Sequence, residues 1–363
     1  MNNQQRQELR RSLLSWYDQQ GRDLHWRKSR DPYAIWISEI MLQQTQVKTV
    51  IPYYHAWLQQ FPTVDDLAQA PLQTVLKVWE GLGYYARARN LHKTAQILVS
   101  QYQGHFPQTL EAVTALPGIG RTTAGGILSA AFNQPVAILD GNVKRVLARL
   151  MALPVPPQDA LTELWTFSEA LLDPEHSRDF NQALMDLGAT VCQRSRPQCG
   201  ECPWQTHCRA YNQGIQNQLP KRKMSAPLPH KQIGVAVIRN DQGQILIDRR
   251  PASGLLGGLW EFPGGKIEAD ETVEECIQRE ILEEIGIEIR VGERLITVNH
   301  AYTHFRVTLY VHLCEYVSWT RPTICKPSEP YSKISSWSTA PGMSLRLKAK
   351  SSVCARKTSP AAP

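Results

Sequence analysis

The stretch Leu116-Pro117-Gly118-Ile119-Gly120-Arg121-Thr122-Thr123-Ala124-Gly125 decides how this chain is read. Two glycines flank one apolar residue between two apolar-periodic segments, a pattern that predicts a tight turn joining two helices. The first amides of the second helix lack intrahelical partners and point out of its start. The turn is therefore an anion site built from backbone, suited to a phosphate. Thr122 or Thr123 is placed to cap that helix, whose inner face runs Ala124, Ile127, Leu128, Ala131.

Further on, Val136-Ala137-Ile138-Leu139 leads into Asp140, followed by Gly141, Asn142 and the stripe Val143, Val146, Leu147, Leu150. By frequency alone Asp140 is a helix N-cap. Its place just after a phosphate-gripping turn gives it a second meaning. A carboxylate beside a nucleic-acid backbone is unfavourable unless a reaction develops positive charge there, as on a sugar losing its base.

Working outward, Pro32 opens a helix through Ile35-Trp36-Ile37-Ser38-Glu39-Ile40-Met41-Leu42-Gln43-Gln44-Thr45-Gln46, expected to run to about Pro52. Glu39 is the one acid among apolar and amide residues. On a wet helix face it is ordinary; in apolar surroundings its pKa rises toward neutrality and it becomes a proton donor. In Trp79-Glu80-Gly81-Leu82-Gly83-Tyr84-Tyr85-Ala86-Arg87-Ala88-Arg89-Asn90, paired tyrosines and two arginines suit stacking or minor-groove contact, with a core turn as the plainer alternative. Trp16-Tyr17 lies on a first helix, and the basic loop Gly21–Arg27 follows it.

At 363 residues the chain exceeds one ordinary core, so two or three domains are expected. A hydrophobic fraction of 42% beside 20% charged residues is that of a soluble globular protein. The charge of +7 and pI near 9.0 favour a polyanionic partner. No apolar run is long enough for a membrane span, and the start Met1-Asn2-Asn3-Gln4-Gln5 is not that of a signal peptide. The expectation is a cytoplasmic, nucleoid-associated monomer with no membrane partner. Of eight cysteines, Cys192, Cys199, Cys202 and Cys208 are clustered. Four thiolates at this spacing can hold a metal centre, zinc or iron–sulfur. Arg194 and Arg196, between the first two, are placed to meet phosphates.

From about Gln213 a basic, proline-interrupted linker leads to a strand-like period: Val235-Ala236-Val237-Ile238 and Gln244-Ile245-Leu246-Ile247 around an Asp241-Gln242-Gly243 turn. Gly265, Glu271, Arg279, Glu280, Glu283, Glu284 and Gly286 follow at the spacing of a complete Nudix box. Glu280, Glu283 and Glu284 share one helix face and can hold Mg²⁺ against a pyrophosphate. After Val317 the chain is rich in Ser, Pro, Lys and Arg, without a closing strand and helix. Either it is a disordered basic tail or the reading frame is altered.

From about Trp16 to about Val317 the sequence resembles the helix-hairpin-helix DNA glycosylase superfamily, and within it the adenine DNA glycosylases. The resemblance implies a multidomain fold: an all-α helix-hairpin-helix core with an iron–sulfur domain, then an α/β Nudix-like domain. The expected divisions are an N-terminal helix over 1–28, a six-helix barrel over 29–134, the aspartate and cluster domain over 135–212, a linker over 213–230, the Nudix-like domain over 231–317 and an atypical tail over 318–363. It implies base-excision repair, with adenine opposite 8-oxoguanine or guanine in double-stranded DNA removed by N-glycosidic hydrolysis.

In the resembled family Glu39 is the catalytic acid and Asp140 the stabilising carboxylate, with Asn142 organising the site. Arg22, Trp26, Leu42 and Asp186 line the adenine pocket. Gln44 is the wedge and Tyr84 intercalates; Gly118, Gly120 and Thr122 hold DNA. Tyr302, Thr303 and His304 read 8-oxoguanine. The resemblance makes the cysteine centre a [4Fe–4S] cluster, whereas in this family the Nudix box is usually degraded, so intact Glu280, Glu283 and Glu284 add a possible Mg²⁺ site. Three rivals stand beside it. An endonuclease III-type glycosylase/lyase carries a lysine where Arg121-Thr122-Thr123 has none. The others are a Nudix pyrophosphohydrolase on oxidised nucleotides, fused to or added to the DNA-binding part, and a purely structural DNA-binding protein.

Overall fold

The computed structural model describes residues 2–223, 227–250, 259–302, 305–319 and 336–338. The chain divides into two compact units, 1–224 and 225–363. The first is helical and the second is a sheet with one helix, as the sequence reading expects. No helix among the described residues is long and apolar enough to cross a membrane.

The helical unit is built round the Pro32–Leu42 helix, in which every residue except Pro32, Glu39 and Leu42 is buried. A helix apolar on all sides must run through the middle of a fold. Asp31 caps it by accepting from the amides of Tyr33 and Ala34. It packs against the Arg121–Phe132 and Val47–Gln60 helices. The helix does not run on toward Pro52: it stops at Leu42, Gln44 turns into left-handed backbone at φ 59°, and a new helix starts at Val47. The cause is outside the segment, because the Arg87 guanidinium takes the carbonyls of Ile40, Met41 and Gln43.

A second apolar cluster joins the two ends of this unit. Leu9 and Leu13, on the Asn3–Gln20 helix, pack with Phe180, Leu184 and Leu187 and with the Val143, Val146, Leu147 stripe. Trp204, wholly enclosed, donates its indole N–H to the Leu9 carbonyl at 2.8 Å. The contacts do not separate the barrel from the cluster-bearing segment; both belong to unit 1–224.

In the second unit seven strands can be named: β1 His230–Arg239, β2 Ile245–Arg249, β3 Trp260–Glu261, β4 Gly264–Lys266, β5 Ile287–Ala301, β6 Arg306–Trp319 and β7 Ser336–Ser338. Their order is β3-β2-β1-β6-β5, with β4 on β1 and β7 on β2. β1 and β6 run parallel from His230–Arg306 to Arg239–Glu315; the other pairs are antiparallel. The Val273–Ile285 helix lays Ile277 and Ile281 on Ala236, Ile238 and Leu246. β7 corrects the expectation for 318–363: part of that segment closes the sheet beside β2. Three residues are too short for a period of two to show in sequence.

Replacing Leu9 by Ala empties a fully enclosed site at the junction of both ends of the helical unit. A loss of roughly 2–5 kcal/mol is expected, read as a lowered thermal midpoint of that unit's transition. A midpoint within error of the parent would show that the junction contributes little.

Candidate active site and nucleic-acid interface

The hairpin turn lies between the Leu110–Thr114 and Arg121–Phe132 helices. Gly118 has φ 79°, and a Cβ there would lie 2.8 Å from the Asn90 side chain, so both backbone and space require glycine. Gly120 is the N-cap and supplies no side chain. The sequence expectation that Thr122 or Thr123 caps this helix is corrected. Both lie inside its first turn, and Thr123 Oγ1 accepts instead from the Gln43 amide at 3.2 Å. The leading amides thus carry no side-chain cap, which suits an anion. Arg121 beside them stacks 4.0 Å over Trp165 and pairs with Glu169.

Asp140 caps the Gly141–Leu150 helix, accepting from the Val143 amide at 2.7 Å. Burial raises its pKa, opposed by the amides of Val143 and Asn142 and by Arg145 and Lys144. Asn142 is fixed from two sides. Arg145 donates to its Oδ1 at 2.8 Å while also reaching the Gly188 and Cys192 carbonyls. A side chain at Gly188 would press on Asn142 at 2.7 Å.

Glu39 stands opposite on the central helix. The residue is only half-buried, but its carboxyl is packed round by protein, and burial, then the nearby Asp140 charge, pushes it up to about 7, against a smaller pull from Arg27. Gly126 makes room: a Cβ there would sit 2.7 Å from Glu39 Oε2. The fold therefore brings Glu39 and Asp140 within each other's electrostatic reach, with Asn142 two residues beyond Asp140; burial raises both carboxyls, and at Asp140 amides and cations oppose the rise.

Asp186 is engaged by two arginines. It is fully buried, and its two oxygens accept from Arg27 at 2.7 Å each and from Arg22 Nε and N at 2.7 and 2.9 Å. Burial pushes its pKa up, but the bonds and charge of Arg27 and Arg22 outweigh that and leave it lowered. Trp26 is buried edge-on against Tyr54, and Leu42 is half-buried at the end of the central helix. A polar cavity of ≈ 310 Å³ opens beside this ion cluster, lined among others by Tyr17, Arg22, Leu24, Arg27 and Arg178; neither Glu39 nor Asp140 lines it.

Gln44 and Tyr84 are both exposed and both in left-handed backbone, at φ 59° and 49°. Arg87, which the sequence places among DNA-facing cations, is instead buried between their loops. Arg27, Arg145 and Arg149 were also missed as site-builders. No local signal marks them, because a basic residue on a helix looks alike whether it meets solvent or carbonyls.

Cys192, Cys199, Cys202 and Cys208 form no disulfide, and the charges of Cys192, Cys199 and Cys208 bear on others of the four. Burial pushes Cys202 up to about 12, so its thiolate needs a compensating cation. Buried Arg149 donates to Cys192 Sγ at 3.3 Å and to the carbonyls of Gln193, Arg194 and Leu219. Among the described residues no three His, Cys, Asp or Glu side chains are grouped round a single-ion position. Four thiolates are a soft donor set of the kind that holds zinc or an iron–sulfur centre. Arg194 and Arg196 are exposed.

In the second unit Arg279 gathers the Nudix-box acids: Glu271 at 2.7 and 3.0 Å, Glu280 at 3.0 Å, Glu283 at 3.5 Å. The Arg279 hydrogen bonds hold Glu271 down to about 2. A Cβ at Gly265 would overlap the Glu280 carboxyl and force it to move. Glu283 and Glu284 are exposed. Tyr302 lies between His300 and Phe305, at 4.6 and 4.8 Å between ring centres, with Lys231 over Phe305. Thr303 and His304 lie outside the described residues.

Comparison with known proteins bears on both units. Residues 37–167 match the HhH-GPD superfamily base excision DNA repair proteins, and residues 234–335 match the NUDIX domain. The adenine DNA glycosylase of Rattus norvegicus is 39% identical over 359 residues, covering 84% of this chain and 70% of that protein. The chain belongs to the adenine DNA glycosylase family. The Homo sapiens member is also 39% identical, with 84% of this chain and 66% of that protein covered. One from Buchnera aphidicola is 42% identical, covering 69% and 72%. Among solved structures, a thermostable thymine-DNA glycosylase superposes with a TM-score of 0.54 at 29% identity, over 58% of this chain and 98% of that one. A trapped endonuclease III–DNA covalent intermediate, at 24% identity and TM-score 0.52, shares the fold.

Glu39 offers a direct test of the site's electrostatics. Its folded pKa lies above its ordinary value, so the folded state holds a proton that the unfolded state has lost, and stability falls as pH rises from about 4.5 through about 7. Glu39→Gln removes that loss. Its thermal midpoint relative to the parent is expected to rise between pH 5 and pH 8, and an equal difference at both values would place the carboxyl in water.

Proposed function

We infer that the helical unit excises adenine paired with 8-oxoguanine or guanine in duplex DNA, by hydrolysis of the N-glycosidic bond. The observation that carries this reading is the pairing of Glu39, poised near pH 7, with capping Asp140 beyond an uncapped hairpin turn. The hairpin amides of Gly120 and the residues after it, with Gly118 and Thr122, take a phosphate, and Gln44 and Tyr84 enter the stack as the adenine turns out. Glu39, protonated, donates to N7 of the leaving base. The sugar moves toward an oxocarbenium ion, which Asp140 stabilises as an anion held by the Val143 amide. Asn142, clamped by Arg145, keeps that site in register, and a water completes hydrolysis. Arg22, Trp26, Leu42 and Asp186 shape the pocket, Asp186 by fixing the two arginines rather than by touching adenine.

The lyase alternative finds no support in the hairpin, where Arg121, Thr122 and Thr123 offer no free amine. Cys192, Cys199, Cys202 and Cys208 would hold a [4Fe–4S] cluster, which supplies structural cross-linking of the 192–208 loops. Tyr302, Thr303 and His304 would read 8-oxoguanine. Mg²⁺ at Glu280, Glu283 and Glu284 has Arg279 as its competitor, so the Nudix-box reading stays secondary to base recognition. The partner is double-stranded DNA, bound by a monomer in the cytoplasm at the nucleoid.

Asp140→Asn is expected to lower single-turnover excision from an A:8-oxoguanine duplex on the order of a hundred-fold or more, with duplex binding retained. Near-parental excision would remove Asp140 from the chemistry. Anaerobically purified protein is expected to contain iron and sulfide, lost together in Cys202→Ser. Stoichiometric zinc without iron would refute the cluster.

A further inference from the structure

Arg87 lies on the Ala86–Tyr102 helix, away from Glu39 and Asp140 in sequence, and nothing in the reaction above uses it. Its guanidinium is nonetheless the most heavily engaged polar group of this unit's two exposed tips. Nη1 donates to the Ile40, Met41 and Gln43 carbonyls at 3.0, 3.0 and 2.6 Å. Nη2 donates to Thr45 Oγ1, Leu82 O and Gly83 O at 3.3, 3.2 and 3.2 Å. Gln43 and Thr45 flank Gln44, and Leu82 and Gly83 precede Tyr84. The plane also lies 5.0 Å from the Trp79 ring and 5.5 Å from the Tyr84 ring.

Both tips need such support. Gln44 and Tyr84 sit in left-handed backbone that a residue with a side chain adopts at a cost. Gly81 and Gly83, also at positive φ, give the second loop little rigidity of its own. The carbonyls that Arg87 collects belong to a helix end and a glycine turn; Ile40 O and Gly83 O also accept from the Gln43 amide and the Trp79 indole, and Arg87 is the donor they share. Two coplanar Nη groups join them across more than forty residues of sequence, which an ammonium cannot do.

We propose that Arg87 is a positioning residue that locks the Gln44 and Tyr84 tips into one rigid two-pronged wedge, so that both enter the DNA stack together. This rests on the reading of Gln44 and Tyr84 as the intercalating residues. A rigid wedge spends its binding energy on separating bases. A loose one binds the same phosphates without turning adenine out.

The test uses the full chain with a duplex carrying 2-aminopurine opposite 8-oxoguanine, whose fluorescence rises when the base leaves the stack, and single-turnover excision from the matching adenine duplex. Arg87→Lys keeps the charge but not the fork. It is expected to bind the duplex with near-parental Kd, to lose most of the fluorescence rise, and to excise on the order of a hundred-fold more slowly. Gln44→Ala and Tyr84→Ala should each reduce the rise, and adding either to Arg87→Lys should cost little more. If both single tip variants leave the rise intact, the wedge reading fails and takes the proposal with it. If they abolish it while folded Arg87→Lys retains it, the wedge stands and the proposal alone is overturned. Should Arg87→Lys fail to fold, Thr45→Val removes one contact of the fork. A partial loss of fluorescence rise supports the proposal, and an unchanged rise overturns it.

Discussion

Two carboxyl groups within each other's field, in a unit that must receive a polyanion, are the constraint on which the helical half depends. Left to itself, such a pair would repel both its members and the DNA. The chain resolves this by giving the two groups different environments. Glu39 sits on a helix apolar on every other side, and burial makes its charged form the costly one. Asp140 begins a helix, where burial raises its pKa but the Val143 amide and nearby cations hold that rise back. The repulsion then becomes useful, because the Asp140 charge helps to keep the proton on Glu39. Gly126 and Gly188 are the geometric condition for this closeness, since a single methyl at either place would strike Glu39 or Asn142.

The arginines of the unit follow from the same constraint. Arg27 and Arg22 neutralise buried Asp186, Arg145 fixes Asn142, Arg149 fastens the cysteine loop, and Arg87 holds two turns. Few of these contacts are to exposed acids. Most are to carbonyls left over where helices end, which is where planar multi-donor groups are worth most. The net positive charge of the sequence is therefore an imperfect guide to the DNA-facing surface, since part of it is spent inside.

Much of the site was legible beforehand because its motifs are local. The Gly118-Ile119-Gly120 turn, Asp140 at a helix start, Glu39 in an apolar run and the spaced cysteines each sit within a few residues of their meaning. What was not legible depended on partners far along the chain. The break at Gln44 is imposed by Arg87, and the caps expected from Thr122 and Thr123 gave way to a contact with Gln43. The two arginines that take both oxygens of Asp186 lie some 160 residues earlier, beyond the reach of any local signal. β7 escaped notice because three residues carry no period, and its partner β2 lies ninety residues back.

The bond from Trp204 to Leu9 has a consequence in time as well as in space. The two residues are separated by 195 positions, and the apolar face of the first helix has its partners at Phe180, Leu184 and Trp204. A chain made from its N-terminus at roughly 5–20 residues per second therefore carries Leu9 without the tryptophan that completes its cover for about ten seconds or more. The barrel helices can close on one another in that interval, since the central helix finds its neighbours by residue 132. The last step of the unit is then the return of the oldest helix to the newest loops, and the cysteine segment that Arg149 ties down is completed by the same event. Growth of the chain thus places the docking of its first helix and the assembly of its thiol site at one late checkpoint.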